Sequence, residues 1–264
     1  MQAISYEELQ RVVATRDLGL RINLRKVLER TTTHQELVSV LVRYGGWNQC
    51  FKGATAGLVA QLHRSQNVFG YFGAQEAACG VYEAITDEFR DRHDSLLWAF
   101  LKGVSDFFFF SHEPAAILMR HPSVLAAQQE IWKGYGEICY DDLPKLVAAA
   151  GFHAGSEFMA AFHEFPQLDE FFTQCRPKTK EYLERKYVQI GRRNYSCYGW
   201  VKDHAEEIEQ RHFSASLDVF TAIMHVGAET KQYFLDGFLR FLEIQEELMD
   251  VLSLPIPLPP LEAV

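Results

Sequence analysis

Helical periodicity recurs along the whole chain and is never replaced by strand alternation, and this constrains the fold more than any other feature. From Tyr6 to Arg30, Leu9, Val12, Val13, Leu18, Leu20, Ile22, Leu24 and Leu28 return at helical spacing, with Gly19 placed to interrupt them. Thr32 and Thr33 are N-cap candidates. Glu36 completes a capping box for a helix through Leu37, Val40, Leu41, Tyr44, Trp47 and Phe51 towards Leu62, with Gly45-Gly46 expected to loosen its middle. Similar patterns predict helices over roughly Ala74 to Arg90, His93 to Phe110, Ser123 to Ala150, Lys178 to Gly191, Tyr198 to His225 and Glu229 to Leu252. No segment reads as a strand, and Phe152 to Cys175 reads as irregular pieces. The expectation is an all-α, single-domain helical bundle over residues 1–252, followed by a Pro-rich C-terminal tail at 253–264.

With 264 residues and 48% hydrophobic content, the chain can bury one substantial core. A formal net charge of -9 and no cluster of Lys and Arg argue against nucleic acid, whose phosphates need a basic face. Cys50, Cys79, Cys139, Cys175 and Cys197 form no Cys-x-x-Cys pair, which fits free thiols in a reducing compartment. No basic-then-apolar leader and no membrane-length apolar run is evident. The protein is expected to be cytoplasmic, with a small-molecule substrate, no nucleic-acid or membrane partner, and a homodimer allowed.

Chemistry concentrates in six residues. They are Glu88 and His93, Glu137, and His204, Glu209 and His212. Three carboxylates and three imidazoles form a recurrent non-heme iron ligand set, since imidazole suits ferrous iron and carboxylate offsets its charge. Glu209 and His212 stand three apart and share a helix face, as in the Glu-x-x-His element of two-metal bundles. His204 lies five before Glu209, about 140° away on a regular helix. A π-bulge between Ala205 and Ile208 would bring it back, and a kink between Glu88 and His93 would do the same there. Glu137 is flanked by Gly134 and Gly136, small neighbours that permit close approach.

The remaining candidates have plainer readings. Phe107-Phe108-Phe109-Phe110 reads as a buried helix end, and Leu254 to Pro260 as a packed or mobile non-helical arm. Cys139 reads as a buried inert thiol, and His34, His63, His112, His121, His153, His163 and His225 as core or surface histidines. Arg192, Arg193 and Arg240 read as solvated ion-pair residues in preference to a substrate clamp, and Tyr195 and Tyr198 as pocket lining or packing.

Over roughly His34 to Leu252 the chain resembles the heme-oxygenase-like diiron oxidases and oxygenases, relatives of the TenA thiaminases and pyrroloquinoline-quinone synthase. Ala84-Ile85-Thr86-Asp87-Glu88 followed by His93-Asp94-Ser95-Leu96-Leu97-Trp98 is similar to the family's Asn-Ile-x-x-Glu helix and the His after it. Glu137 stands where a central helix supplies a lone Glu. His204 through His212 is similar to the family's His-x-x-x-Asp-x-x-His, with one extra residue and Glu209 in the aspartate position. Gly45-Gly46-Trp47 looks like the Gly-Gly-Trp of the fatty-acid decarboxylases, with Phe51 where they carry a glutamate.

The resemblance implies two ferrous ions and dioxygen as co-substrate, acting on a C–H or N–H bond of a small carboxylate or amino-acid-like metabolite. Glu88, His93 and Glu137 would hold one iron, and His204, Glu209 and His212 the other. The protein would then be an iron-dependent oxidoreductase. The alternatives are a cofactorless enzyme of the TenA kind and a non-catalytic helical binding protein of the same fold.

Overall fold

Two helices that touch backbone to backbone form the centre of the structure. This computed structural model describes residues 4–15, 22–90, 93–109, 117–136 and 141–256, the side chains of 87–90 and 207 excepted. In chain order the helices are α1 Tyr6–Thr15, α2 Leu24–Glu29, α3 His34–Asn48, α4 Phe51–Arg64, α5 Gln66–Arg90, α6 His93–Phe107, α7 Pro122–Gly134 and α8 Leu143–Met159. A π-helical turn at Ala160–Glu164 leads into α9 Phe165–Cys175, then α10 Pro177–Arg185, and the hairpin strands β1 Tyr187–Ile190 and β2 Arg193–Ser196. The chain closes with α11 Gly199–Ala205, α12 Glu207–Ile223 and α13 Thr230–Ser253. The all-α expectation holds.

The central pair is α8 and α13. Helix α8 is apolar on all sides and buried nearly throughout, the signature of a helix surrounded by others. A Cβ on Gly151 would stand 1.9 Å from the Phe234 carbonyl oxygen, and one on Gly237 would stand 1.8 Å from that of Ala148. Only glycine permits this approach. Helix α12 packs on both α5 and α8, and α4 lies against α5.

Local chemistry explains most of the boundaries. Thr33 caps α3, with the Glu36 side chain reaching back to complete the predicted capping box. Pro122, Pro144 and Pro177 occupy first-turn positions, where the missing amide costs nothing. Helix α3 runs unbroken through Gly45 and Gly46 and ends at Asn48, because Gly46 lies hard against the Met119 backbone and is fixed by packing.

Four expectations are corrected. Phe152 to Cys175 is continuous helix carried through the π turn. The helix predicted over Ser123 to Ala150 is two, since α7 ends at Gly134 and Gly136 takes φ of 89°. Lys178 to Gly191 ends in strand: Val188 and Tyr195 pair across an antiparallel hairpin with Gly191 at φ of 62° opening its two-residue loop. Four-residue strands are too short to show alternation in sequence. Finally, Phe107 and Phe108 pack against the core, but Phe109 is 95% exposed at φ of 62°.

The start of the tail packs as an arm. Arg43, buried on α3, donates to the carbonyls of Val251 at 2.8 Å and of Leu252 and Leu254 at 3.0 Å, and Ser39 Oγ donates to Ile256 O at 2.6 Å. The guanidinium thus satisfies carbonyls that the end of α13 leaves open. Phe110, His112, Cys139 and residues 257–264 lie outside the described residues. Among the described residues, no helix is long and apolar enough to cross a membrane.

Candidate metal centre

A cleft between α3, α4, α5, α6, α8, α11, α12 and α13 gathers most of the buried acid and imidazole groups. Its cavity volume is about 80 Å³, and its walls include Trp47, Phe51, Leu97, Phe165, Trp200 and Phe241. A water needs roughly 10–15 Å³ by this measure, so the space suits a small ligand with a few waters. At one side His93, Glu157, His204, Glu209 and His212 meet.

A break in the chain brings His204 and Glu209 together. Helix α11 ends at Ala205, Glu206 is extended at φ -89° and ψ -159°, and α12 starts at Glu207. The interruption expected between Ala205 and Ile208 is therefore a non-helical residue and not a π-bulge. It has the same consequence: His204 Nε2 stands 3.5 Å from Glu209 Oε1. The π turn occurs instead at Ala160–Glu164, and Glu157, Ala160 and Glu164 all reach the cavity. Likewise, α5 ends at Arg90 and α6 begins at His93, whose buried ring lies 4.4 Å from the His204 ring.

Glu209 faces two ways. Its Oε1 is turned to His204, while Oε2 lies 3.6 Å from His212 Nδ1. His212 Nδ1 is also 3.8 Å from Glu157 Oε2, and Glu157 Oε1 is 3.4 Å from His153 Nδ1. Separations near 3.6 Å are long for hydrogen bonds. They suit donors that share an ion, since two atoms each about 2.1 Å from one metal and about 110° apart stand about 3.4 Å from each other. Among the described residues, Glu157, Glu209 and His212 each bring a ligand atom within 4.8 Å of the others.

The imidazoles are pre-oriented. His204 Nδ1 lies 2.7 Å from the Trp200 carbonyl, which can only accept, so Nδ1 carries a proton and Nε2 is the nitrogen turned to Glu209. His204 also stacks on Phe165 at 4.2 Å. Beside Glu157, Tyr135 Oη lies 3.3 Å from His153 Nδ1 and 2.9 Å from Ser156 Oγ. Among the described residues, the buried His153 Nε2 finds no hydrogen-bond partner.

Burial and charge set the protonation states. Burial works to raise the Glu209 carboxyl, but His204, then His212 and His93, outweigh it and hold Glu209 below its ordinary value, so it is ionised at neutral pH. Burial, helped by His212, pushes His153 down to about 3, leaving it a neutral ring. Glu164 is pushed up to about 7, first by burial and then by Glu209, against the hydrogen bonds from Tyr44 and Gln245.

The structure thus brings together His93, His204, Glu209 and His212 of the six sequence candidates. The Glu88 side chain and Glu137 lie outside the described residues. Sequence reasoning missed Glu157 and Glu164 and read His153 as a core or surface histidine; it is buried, with Nδ1 3.4 Å from Glu157 Oε1. The signal was present in His153-x-x-x-Glu157, four apart on one helix face, and in Glu164 seven further on. Assigning that stretch as irregular hid it. Comparison of the chain with family models, curated proteins and solved structures gives no match.

Proposed function

We propose that this protein is a non-heme iron, dioxygen-dependent oxidase or oxygenase acting on a small metabolite, with its metal held by Glu157, Glu209, His212, His204 and His93. One observation carries the reading: the two oxygens of Glu209 approach different imidazoles, Oε1 that of His204 at 3.5 Å and Oε2 that of His212 at 3.6 Å. That is the arrangement in which one carboxylate serves two ions. The donor set also fits, because carboxylate and imidazole without thiolate suit ferrous iron. Bound ferrous iron would supply the open coordination positions at which dioxygen is reduced.

The protein's own contribution is orientation and exclusion. The Trp200 carbonyl fixes the His204 tautomer, and His153 lies against the Glu157 oxygen that faces away from His212. Trp47, Phe51, Phe165, Trp200 and Phe241 line the cavity and limit the water that reaches it. Lys52 and Asp94, ion-paired at 2.9 Å, line the same cavity and give it a polar edge. Ala84 and Ile85 of α5 also line it.

A single-metal site is the second reading, favoured by the compactness of Glu157, Glu209 and His212. Anaerobic ferrous titration separates the two. The dinuclear reading expects about two irons per chain, both weakened in Glu209→Ala. One iron per chain, unaffected by His204→Ala, would establish the single site. No iron bound by the wild-type chain would overturn both.

A further inference from the structure

Glu164, in the cavity wall, anchors a second polar assembly to which the metal reading gives no task. Tyr44 on α3 is buried, and its hydroxyl donates a short hydrogen bond to Glu164 Oε2. Gln245 Nε2 on α13 donates to Glu164 Oε1. Both carboxylate oxygens act as acceptors, as an ionised carboxylate does, and one already meets the phenolic hydrogen.

Aromatic contact links this pair to the ligand candidates. The Tyr44 ring lies 6.0 Å from that of Trp200, and the Trp200 ring lies 5.6 Å from that of His204. The Trp200 carbonyl, which accepts the His204 Nδ1 hydrogen at 2.7 Å, adds a bonded route. Trp47 also stacks with Tyr44, at 6.1 Å between ring centres. Burial, and then the Glu164 charge, push the Tyr44 phenol well above its ordinary value, so the ring does not ionise on its own. An electron can leave it only if the proton moves too. Glu164, ionised above a pH of about 7, is the base already in place.

We propose that Tyr44 and Glu164 form a proton-coupled redox site. Tyr44 gives one electron, through Trp200, to the dioxygen-oxidised metal centre, and its phenolic proton passes to Glu164 Oε2. The products balance: a neutral tyrosyl radical, a protonated Glu164 and a metal centre reduced by one electron. The step rests on the iron reading above, with the oxidised metal as its oxidant. Tyr135, also buried near the centre, has Ser156 and neutral His153 beside its hydroxyl in place of a carboxylate, so it serves as the control.

The test uses the full chain, loaded anaerobically with ferrous iron, mixed with dioxygen-saturated buffer and freeze-quenched for electron paramagnetic resonance, with iron content measured on the same sample. The expected result is an organic radical whose hyperfine pattern narrows when ring-deuterated tyrosine is incorporated. It is kept in Tyr135→Phe and lost in Tyr44→Phe and Glu164→Gln, each checked for wild-type iron content and helicity. A radical insensitive to tyrosine deuteration overturns the proposal from the wild-type protein alone, whether or not the variants fold. So does a signal that persists in Tyr44→Phe, or oxidation of bound iron with no radical, and these leave the metal reading intact. Failure to bind iron overturns both.

Discussion

Two buried groups that titrate in opposite directions, Glu164 in the cavity wall and His153 behind Glu157, should give the metal-free protein an unusual pH response. His153, pushed from 6.5 down to about 3, stays neutral in the fold while the unfolded chain takes up its proton. Its contribution is present above pH 6.5 and is lost as pH falls towards 3. Glu164, raised from 4.5 to about 7, keeps its proton in the fold while the unfolded chain releases it. Its contribution is full below pH 4.5 and is lost as pH rises through 7. Each pH unit is worth about 1.36 kcal/mol per proton, so between pH 6.5 and 4.5 each group moves stability by about 2–3 kcal/mol, in opposite directions. In the wild type the two nearly cancel. Glu164→Gln keeps an acceptor for Tyr44 but exposes the His153 response, so its stability relative to wild type should fall by about 2–3 kcal/mol from pH 6.5 to 4.5. His153→Gln should gain a similar amount over the same window. Urea unfolding at half-unit pH intervals measures both, with unchanged m-values confirming a common unfolded state. Differences that stay constant across this window would refute the burial argument for either residue.

Other substitutions probe the frame and the ligand set. Arg43→Met leaves the Val251, Leu252 and Leu254 carbonyls without their shared donor and should cost about 3 kcal/mol in denaturant unfolding; a loss under about 0.5 kcal/mol would show that the arm contributes little. Gly151→Ala forces α8 and α13 apart where a Cβ would meet the Phe234 carbonyl at 1.9 Å. Thermal melts should register at least about 2 kcal/mol, whereas Gly57→Ala, with open space around it, should be neutral or slightly stabilising. His153→Gln should lower ferrous affinity by about 10–100-fold through its contact with Glu157, which competition with a chelator would report. Comparing Glu88→Ala, Glu137→Ala and Glu157→Ala by iron stoichiometry tests which carboxylates take part, and an unchanged value in Glu157→Ala would remove it from the ligand set.

The sequence was legible wherever a property is local. Helical class followed from the recurrence of apolar residues, and the Thr33–Glu36 box is a four-residue device that needs no distant partner. Glu209 and His212 were found because three residues on a helix fix their mutual direction. His204 could be placed only by requiring a break after it, and the extended Glu206 supplies one.

Tertiary structure decided what depends on distant partners. Gly45-Gly46 looks like a weak point in isolation, yet packing on Met119 keeps α3 helical there. The hairpin Tyr187–Ser196 owes its form to pairing between strands, which four-residue runs do not announce. Glu157 and Glu164 share only a helical spacing with His153, and they matter because α8 and the π turn point them at α12, α3 and α13. The sequence by itself determined that the chain is helical and which imidazoles deserve attention, since helix geometry repeats every few residues. Only the folded chain decided which carboxylates meet those imidazoles, because burial and proximity arise from segments far apart in sequence.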